Sequence, residues 1–179
     1  LGLPREIDWF FQGVQTFYPD VWEDFAAFIP LSERHDLLSA YKKRVLSDDP
    51  AIYGPAVKMF SGYEGRLATV MPSETIVTSF EDHKVAFGLA RAECHYFSQA
   101  LFLEPNYILN HSQTIQSISG TIIQGRCDAI CPPLSAWMLH KAWPQSRLIM
   151  VEGNGHSASE PGIEAELIRA TQAYKESHT

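Results

Sequence analysis

Two residues capable of acid–base chemistry each follow a predicted strand, and the two strands are consecutive in the sequence. Asp128 lies just past the strand-like run GTIIQG, and His156 lies just past SRLIMVEG. The carboxyl ends of parallel strands meet at one edge of a sheet, about 4.8 Å apart, so we predict a hydrogen bond between these side chains. Such a pair would supply the acid and base of a nucleophile–base–acid triad. Each residue alone has a plainer interpretation, since an aspartate often forms a turn and a loop histidine is often solvated.

The segment from residue 119 onward has the pattern that a parallel arrangement requires. A strand (GTIIQG), a helix (PPLSAWMLHKAW), a second strand (SRLIMVEG), a loop and a closing helix (IEAELIRATQAYKESH) follow one another. Two strands joined through a helix predict a parallel unit with a right-handed crossover.

The first two-thirds of the chain reads as successive helices. Apolar residues recur at helical spacing from Ile7 to Val14, and we expect helices capped by Asp20 and Ser32. Pro50 should lie early in another helix, and residues 104–118 are predicted to form a single helix.

Composition narrows the possible function classes. The 179 residues carry a formal net charge of −7 without a basic patch, which argues against a nucleic-acid-binding protein. No apolar run reaches the roughly 20 residues of a membrane span, and no signal peptide is recognisable. An odd count of 3 cysteines favours a reducing compartment, so a cytoplasmic location is expected. The opening at Leu1 reads like the middle of a protein, which indicates a fragment or a truncated chain.

Two glutamates lie on apolar stripes of predicted helices. Glu93 shares a helix face with Ala86, Ala90 and Phe97, and Glu64 follows Val57 and Phe60 at similar spacing. A carboxylate on such a stripe needs a partner, and that partner could be a substrate ammonium group. The alternatives are a salt bridge with Arg66 or Arg91, or a helix register that turns the carboxylate to solvent.

The motifs together resemble those of a known enzyme family. GRCDAICP, SAWMLHKAWP and GNGHSASEP resemble the C-terminal end of proline iminopeptidases, which are serine aminopeptidases with the α/β-hydrolase fold. WFFQGVQTFYPDVWEDF, LSDDP, YEG and ARAECHYF resemble the helical cap of that family. The resemblance covers essentially the whole chain. It implies a partial α/β hydrolase, with a helical cap domain at 1–112 and the C-terminal part of the core at 113–179.

The resemblance also implies roles for individual residues. Asp128 would be the triad acid and His156 the triad base, while the family's serine nucleophile and oxyanion-hole loop lie upstream of the matched region. No G-x-S-x-G motif occurs in the 179 residues. Glu64 and Glu93 would bind the substrate's amino group, and Cys131 would lie near the substrate pocket. The implied partner is a peptide with a free N-terminal proline, and no metal or organic cofactor is implied.

Departures from the family's motifs leave some questions open. Tyr63 stands where the family has tryptophan and Cys94 where it has asparagine. The carboxylates remain, so amine binding is still implied, whereas these departures bear on pocket shape and proline preference. Cys131 could instead be a small buried apolar residue.

Other functions remain possible at this level. They are a capped hydrolase acting on esters or amides without a free amine, and a non-catalytic truncated binding module. A zinc site would need Cys127, Cys131, His140 and His156, but these residues lack the paired spacing of structural zinc modules.

Overall fold

The protein is described by a computed structural model that covers residues 1–177 and contains two compact units. We call residues 2–67 and 72–105 the helical unit. The strand-containing unit comprises residue 1, residues 68–71 and the chain from residue 106 onward. Residues 68–71 lie between two helices of the helical unit, and their backbone contacts the loop that carries His156.

The helical unit is built from α-helices joined by short turns. Three of its helices begin with proline, whose missing N–H and fixed φ suit the first helical position. Within the part of the chain that the structure describes, no helix is long and apolar enough to cross a membrane. The helices are α1 (Pro4–Phe11), α2 (Pro19–Ala27), α3 (Leu37–Val45), α4 (Pro50–Leu67), α5 (Glu74–Glu81) and α6 (His83–Phe97).

The predicted caps at Asp20 and Ser32 are wrong. Helix α2 already begins at Pro19, so Asp20 lies inside its first turn. Ser32 lies within a 3-10 segment, and the cap of α3 is Asp36, whose carboxylate accepts a hydrogen bond from the backbone N–H of Ser39. Local pattern located these helices but not their first residues, because several polar residues near each start could serve as caps.

An aromatic cluster forms the core of the helical unit. The ring of Phe25 stacks between Tyr41 and Tyr63, with centroid distances of 4.2 and 4.0 Å. Both phenols are buried and donate to backbone carbonyls, Tyr41 to Phe25 at 2.7 Å and Tyr63 to Phe10 at 2.8 Å. Burial raises the pKa of both tyrosines, so they remain neutral donors. These bonds join α1, α2, α3 and α4 through the interior.

The strand-containing unit holds a small parallel sheet. Strands β1 (Gly120–Gly125) and β2 (Ser146–Val151) pair in parallel, with Ile122 opposite Leu148. A helix connects the strands, and another packs against both of them. These are α8 (Leu134–Ala142) and α9 (Pro161–Ser177), and the last residue predicted for the closing helix, His178, lies outside the described residues. A short helix, α7 (Tyr107–Asn110), precedes the sheet.

One face of the sheet borders an open cavity of about 1000 Å³. Ile123 and Ile149 line it from the strands, and Leu167 and Tyr174 line it from α9. Parallel strands are ordinarily covered on both faces, so this much open space beside one face of the sheet is unusual.

The prediction of one helix over residues 104–118 is wrong. The segment contains α7 and a 3-10 turn at Ser112–Ile115, and Asn106 adopts a left-handed backbone with φ +62°. A residue with that φ ends any continuous right-handed helix, and asparagine tolerates it better than most residues. The helical spacing of the sequence therefore corresponds to a short α-helix and a 3-10 turn, and not to one continuous helix.

Removing the hydroxyl of Tyr63 should destabilise the chain. Tyr63→Phe keeps the stacked ring but leaves the buried Phe10 carbonyl without this donor, so we expect a loss of about 1–2 kcal/mol in the free energy of unfolding. Urea denaturation measures it, with Tyr96→Phe as the control because that side chain is half exposed. Equal stability of the two variants would contradict the role given to this bond.

Candidate active site

The two strands end in loops that remain joined beyond the sheet. The N–H of Arg126 donates to the carbonyl of Val151 at 3.0 Å, and that of Cys127 donates to Asn154 at 2.9 Å. A Cβ at Gly125 would overlap the carbonyl oxygens of Asn154 and Gly155, so only glycine permits this approach. The loops that carry Asp128 and His156 are thereby held side by side.

The predicted hydrogen bond between Asp128 and His156 is present. Nδ1 of the imidazole lies 3.1 Å from Oδ2 and 3.2 Å from Oδ1 of the carboxylate. The Asp128 side chain is 7% exposed and the His156 side chain 34% exposed. The imidazole is therefore anchored at a buried carboxylate while part of the ring reaches the surface.

The Asp128 carboxylate accepts further hydrogen bonds from its own loop and from β1. Oδ1 accepts from the backbone N–H of Ile130 at 3.0 Å and of Cys131 at 2.8 Å. Oδ2 accepts from Nε2 of Gln124 at 3.1 Å. A buried carboxylate is tolerated when donors surround it, and these donors also fix its orientation.

Backbone contacts hold the loop that bears His156. The N–H groups of His156 and Ser157 both donate to the carbonyl of Ala68, at 3.1 and 2.8 Å. The Glu160 carboxylate accepts from the N–H of Val70 at 3.1 Å and from that of Gly155. Two contacts to residues 68–71 thus flank the histidine, which explains why this short segment belongs to the strand-containing unit.

Sequence reasoning missed Gln124, Glu160 and residues 68–71. A polar residue between Ile123 and Gly125 in a strand was a usable signal for Gln124, because a polar side chain there needs a partner. Glu160 directly precedes Pro161, the first residue of α9, and an acidic residue at a helix start is a recognisable signal. No local pattern pointed to residues 68–71, whose contribution is made by backbone groups.

The electrostatics of the pair favour a protonated imidazole. Burial lowers the pKa of His156, but hydrogen bonds with Asp128 and Cys131, together with their charge, outweigh it and raise that pKa to about 10. The imidazole of this chain therefore carries a positive charge near neutral pH.

Cys131 belongs to the same cluster. Its thiol is exposed and interacts with His156, so the alternative of a small buried apolar residue is wrong. Cys127 is also exposed. Within residues 1–177, no three histidine, cysteine, aspartate or glutamate side chains are grouped closely enough to hold a metal ion.

Glu64 and Glu93 lie in the helical unit, on α4 and α6, which pack against each other. Glu64 is 6% exposed, which contradicts a solvent-facing register for it, and one carboxylate oxygen of each glutamate is shielded from solvent. Arg66, one of the two arginines proposed as ion-pair partners, has a guanidinium nitrogen 3.6 Å from a carboxylate oxygen of Asp24.

Each glutamate is adjacent in sequence to a buried residue, Tyr63 before Glu64 and Cys94 after Glu93. Tyr63 and Cys94 are both fully buried, and burial, followed by the charge of Glu93, raises the pKa of the Cys94 thiol. Arg91, the other proposed ion-pair partner, contacts the Ser47 carbonyl at 3.5 Å and lies over the Phe87 ring.

A histidine oriented by a buried aspartate at the carboxyl ends of parallel strands has the arrangement of the base and acid in hydrolytic triads. Sequence comparison relates the chain to proteins named proline iminopeptidase. It is 43% identical to a proline iminopeptidase of Arabidopsis thaliana over 96% of its residues, and 42% identical to one of Xanthomonas citri over 94%. It is 41% identical to a probable proline iminopeptidase of Leptolyngbya boryana over 95%.

These matches cover 46%, 55% and 54% of the respective relatives, so the chain spans about half the length of the curated relatives it matches. The matched half is their C-terminal portion. No protein-family model matches the chain. The resemblance to proline iminopeptidases drawn from the motifs is thus confirmed by relatives of that name.

The raised pKa of His156 should depend on Asp128. Asp128→Asn removes the negative charge and leaves a weaker amide acceptor, while the burial of the imidazole remains. We therefore expect the His156 pKa to fall from about 10 by at least one unit. NMR titration of the imidazole measures this. The exposed Asp48→Asn substitution changes net charge equally and is the control.

The same shift fixes the sign of a stability effect. Because the folded pKa exceeds the unfolded value of 6.5, the stabilisation from protonated His156 is complete below pH 6.5 and disappears as pH rises through about 10. Over this pH window, the free energy of unfolding of Asp128→Asn should change less with pH than that of Asp48→Asn. Parallel curves for the two variants would rule out this electrostatic coupling.

Proposed function

We propose that this chain supplies the base, the acid and the amine-binding carboxylates of a serine aminopeptidase that removes N-terminal proline from peptides. The observation that carries the proposal is the hydrogen bond between buried Asp128 and partly exposed His156 beyond two parallel strands. Relatives named proline iminopeptidase along nearly the whole chain support the substrate class.

We further propose that the chain is part of an α/β hydrolase, with 1–112 as the helical cap and 113–179 as the end of the core. The open cavity beside Ile123 and Ile149 supports this, because further core elements would cover that face. The serine nucleophile and the oxyanion donors would then be contributed by sequence outside these 179 residues. Three free cysteines support a reducing, cytoplasmic setting.

In the proposed reaction the serine hydroxyl attacks the carbonyl carbon of the first peptide bond while His156 accepts its proton. His156 then returns the proton to the leaving amine, and water releases proline from the acyl-enzyme by the same route. Asp128 holds Nδ1, which leaves Nε2 to exchange protons with the reacting groups.

A base must be neutral before it can accept a proton. Because the pKa of His156 is raised in this structure, we propose that the substrate complex contains an influence that lowers it again. The ammonium group of a bound substrate is such an influence, because a nearby cation lowers the pKa of an imidazole.

Glu64 and Glu93 are proposed to bind that ammonium group. A carboxylate on a packed helix is held more rigidly than one on a loop, so it can fix the distance between the amine and the reacting bond. This would restrict cleavage to the first residue of a peptide. Cys131, exposed beside His156, is proposed to line the part of the pocket nearest the reacting carbonyl.

Reconstitution tests the proposed reaction. We expect the chain alone not to hydrolyse proline-β-naphthylamide above background, since removal of a serine nucleophile costs on the order of 10⁶ in kcat. Co-expression with the N-terminal portion of the Xanthomonas citri relative should give measurable turnover. His156→Ala in the reconstituted enzyme should abolish it, while His35→Ala, an exposed histidine in the helical unit, should not.

Two results would overturn the proposal. One is serine-dependent turnover by the isolated chain that a fluorophosphonate blocks, which would place the nucleophile within these residues. The other is a reconstituted enzyme that cleaves simple esters but not prolyl amides, which would favour a hydrolase without amine recognition.

The carboxylates should affect substrate binding more than the chemical step. In the reconstituted enzyme, Glu64→Gln or Glu93→Gln should raise KM for a prolyl amide by roughly 10–100-fold, the value of a hydrogen bond to a charged group. The exposed Glu104→Gln is the matched control. An unchanged KM in either variant would remove that glutamate from the amine site.

A further inference from the structure

Gln124 is the last side chain of β1 before the loop that carries Asp128. Ile123 lines the cavity beside α9, and side chains alternate along a strand, so Gln124 faces the opposite side of the sheet. It pairs in register with Met150 on β2. The side-chain amide of Gln124 is therefore a polar group within an apolar strand, and its hydrogen bonds explain how it is tolerated there.

The amide nitrogen of Gln124 lies among three acceptors. Nε2 is 3.1 Å from Oδ2 of Asp128, 3.2 Å from the carbonyl of Cys131 and 3.2 Å from that of Gly125. Rotating the amide by 180° would place its oxygen against a carboxylate and two carbonyls, so the network itself assigns the donor. Gln124 thereby links both ends of the loop to the carboxylate between them.

Apart from the imidazole of His156, which lies near both oxygens, each oxygen of Asp128 is held by its own donors. Oδ1 is fixed by the backbone of Ile130 and Cys131, whereas Oδ2 meets the side chain of Gln124. The terminal torsion of aspartate is broad, so contacts at one oxygen leave the carboxylate plane free to rotate. Holding the second oxygen restricts that rotation and keeps both oxygens near Nδ1 of His156.

We propose that Gln124 is a positioning residue that fixes the carboxylate plane of Asp128 and, through it, the Nδ1–H bond of His156. The effect on turnover rests on the proposed function, but the effect on the hydrogen bond does not. A purely structural role is the competing explanation, because the bonds to Gly125 and Cys131 alone would stabilise the strand end.

The test observes the imidazole directly in the full 179-residue chain. The chain labelled with ¹⁵N-histidine should show a slowly exchanging Nδ1 proton of His156, bound to Asp128. In Gln124→Met, which keeps the side-chain length without the donor, exchange of that proton should be roughly tenfold faster. Gln145→Met is the matched control, since Gln145 is exposed at the opposite end of the strands.

Gln124→Glu provides a second, nearly isosteric variant if Gln124→Met folds poorly. A protonated glutamic acid can donate to Oδ2 of Asp128 as the amide does, whereas an ionised one repels it. Exchange of the Nδ1 proton should therefore be slow at low pH and accelerate as the introduced carboxyl ionises. That additional titration should be missing from the original chain and from Gln145→Met.

The outcomes separate the two explanations. Faster exchange in Gln124→Met, or the additional titration in Gln124→Glu, supports positioning of Asp128. Exchange in both variants equal to that of Gln145→Met overturns it, even if their stability is reduced. In the reconstituted enzyme Gln124→Met should lower kcat and leave KM unchanged, and absence of any reconstituted activity would count against the proposed function and not against this hydrogen bond.

Discussion

The strand-containing unit depends on keeping one carboxylate buried. Asp128 is 9% exposed, and taking an ionised carboxylate out of water is costly unless donors replace the solvent. Those donors come from the loop backbone, from Gln124 on β1 and from His156 beyond β2. The carboxylate can be satisfied only if the strand end, its loop and the histidine loop occupy these positions together. The burial of the Asp128 carboxylate therefore constrains the positions of its donors, and the imidazole of His156 is oriented as a result.

The histidine loop meets a second requirement of the same kind. Ala68 accepts the backbone N–H groups of His156 and Ser157, and Glu160 receives those of Val70 and Gly155. The ring is thus held by its own side-chain bond, and its backbone by residues far away in sequence. Contacts of this type place the histidine loop on a supported framework instead of leaving it free to move.

Aromatic packing forms the core of the helical unit. Phe25 lies between two tyrosine rings whose hydroxyls donate to backbone carbonyls, so these two buried polar groups have hydrogen-bond partners. Tyr63 is part of this cluster and immediately precedes Glu64 on α4. The buried glutamate therefore projects from a helix that also contributes a ring to the packed aromatic core.

Sequence by itself determined the elements and the central pair. The alternation of strands and helices after residue 119 predicted parallel strands, and that arrangement placed Asp128 beside His156. Helical spacing likewise put Glu64 and Glu93 on packed helices. Local pattern failed where competing polar residues could cap a helix, as at Ser32 and Asp36, and where Asn106 adopts a left-handed backbone. Only the tertiary structure revealed the supporting contacts of Gln124, Glu160 and Ala68, because they join groups distant in sequence or use backbone atoms that every residue shares.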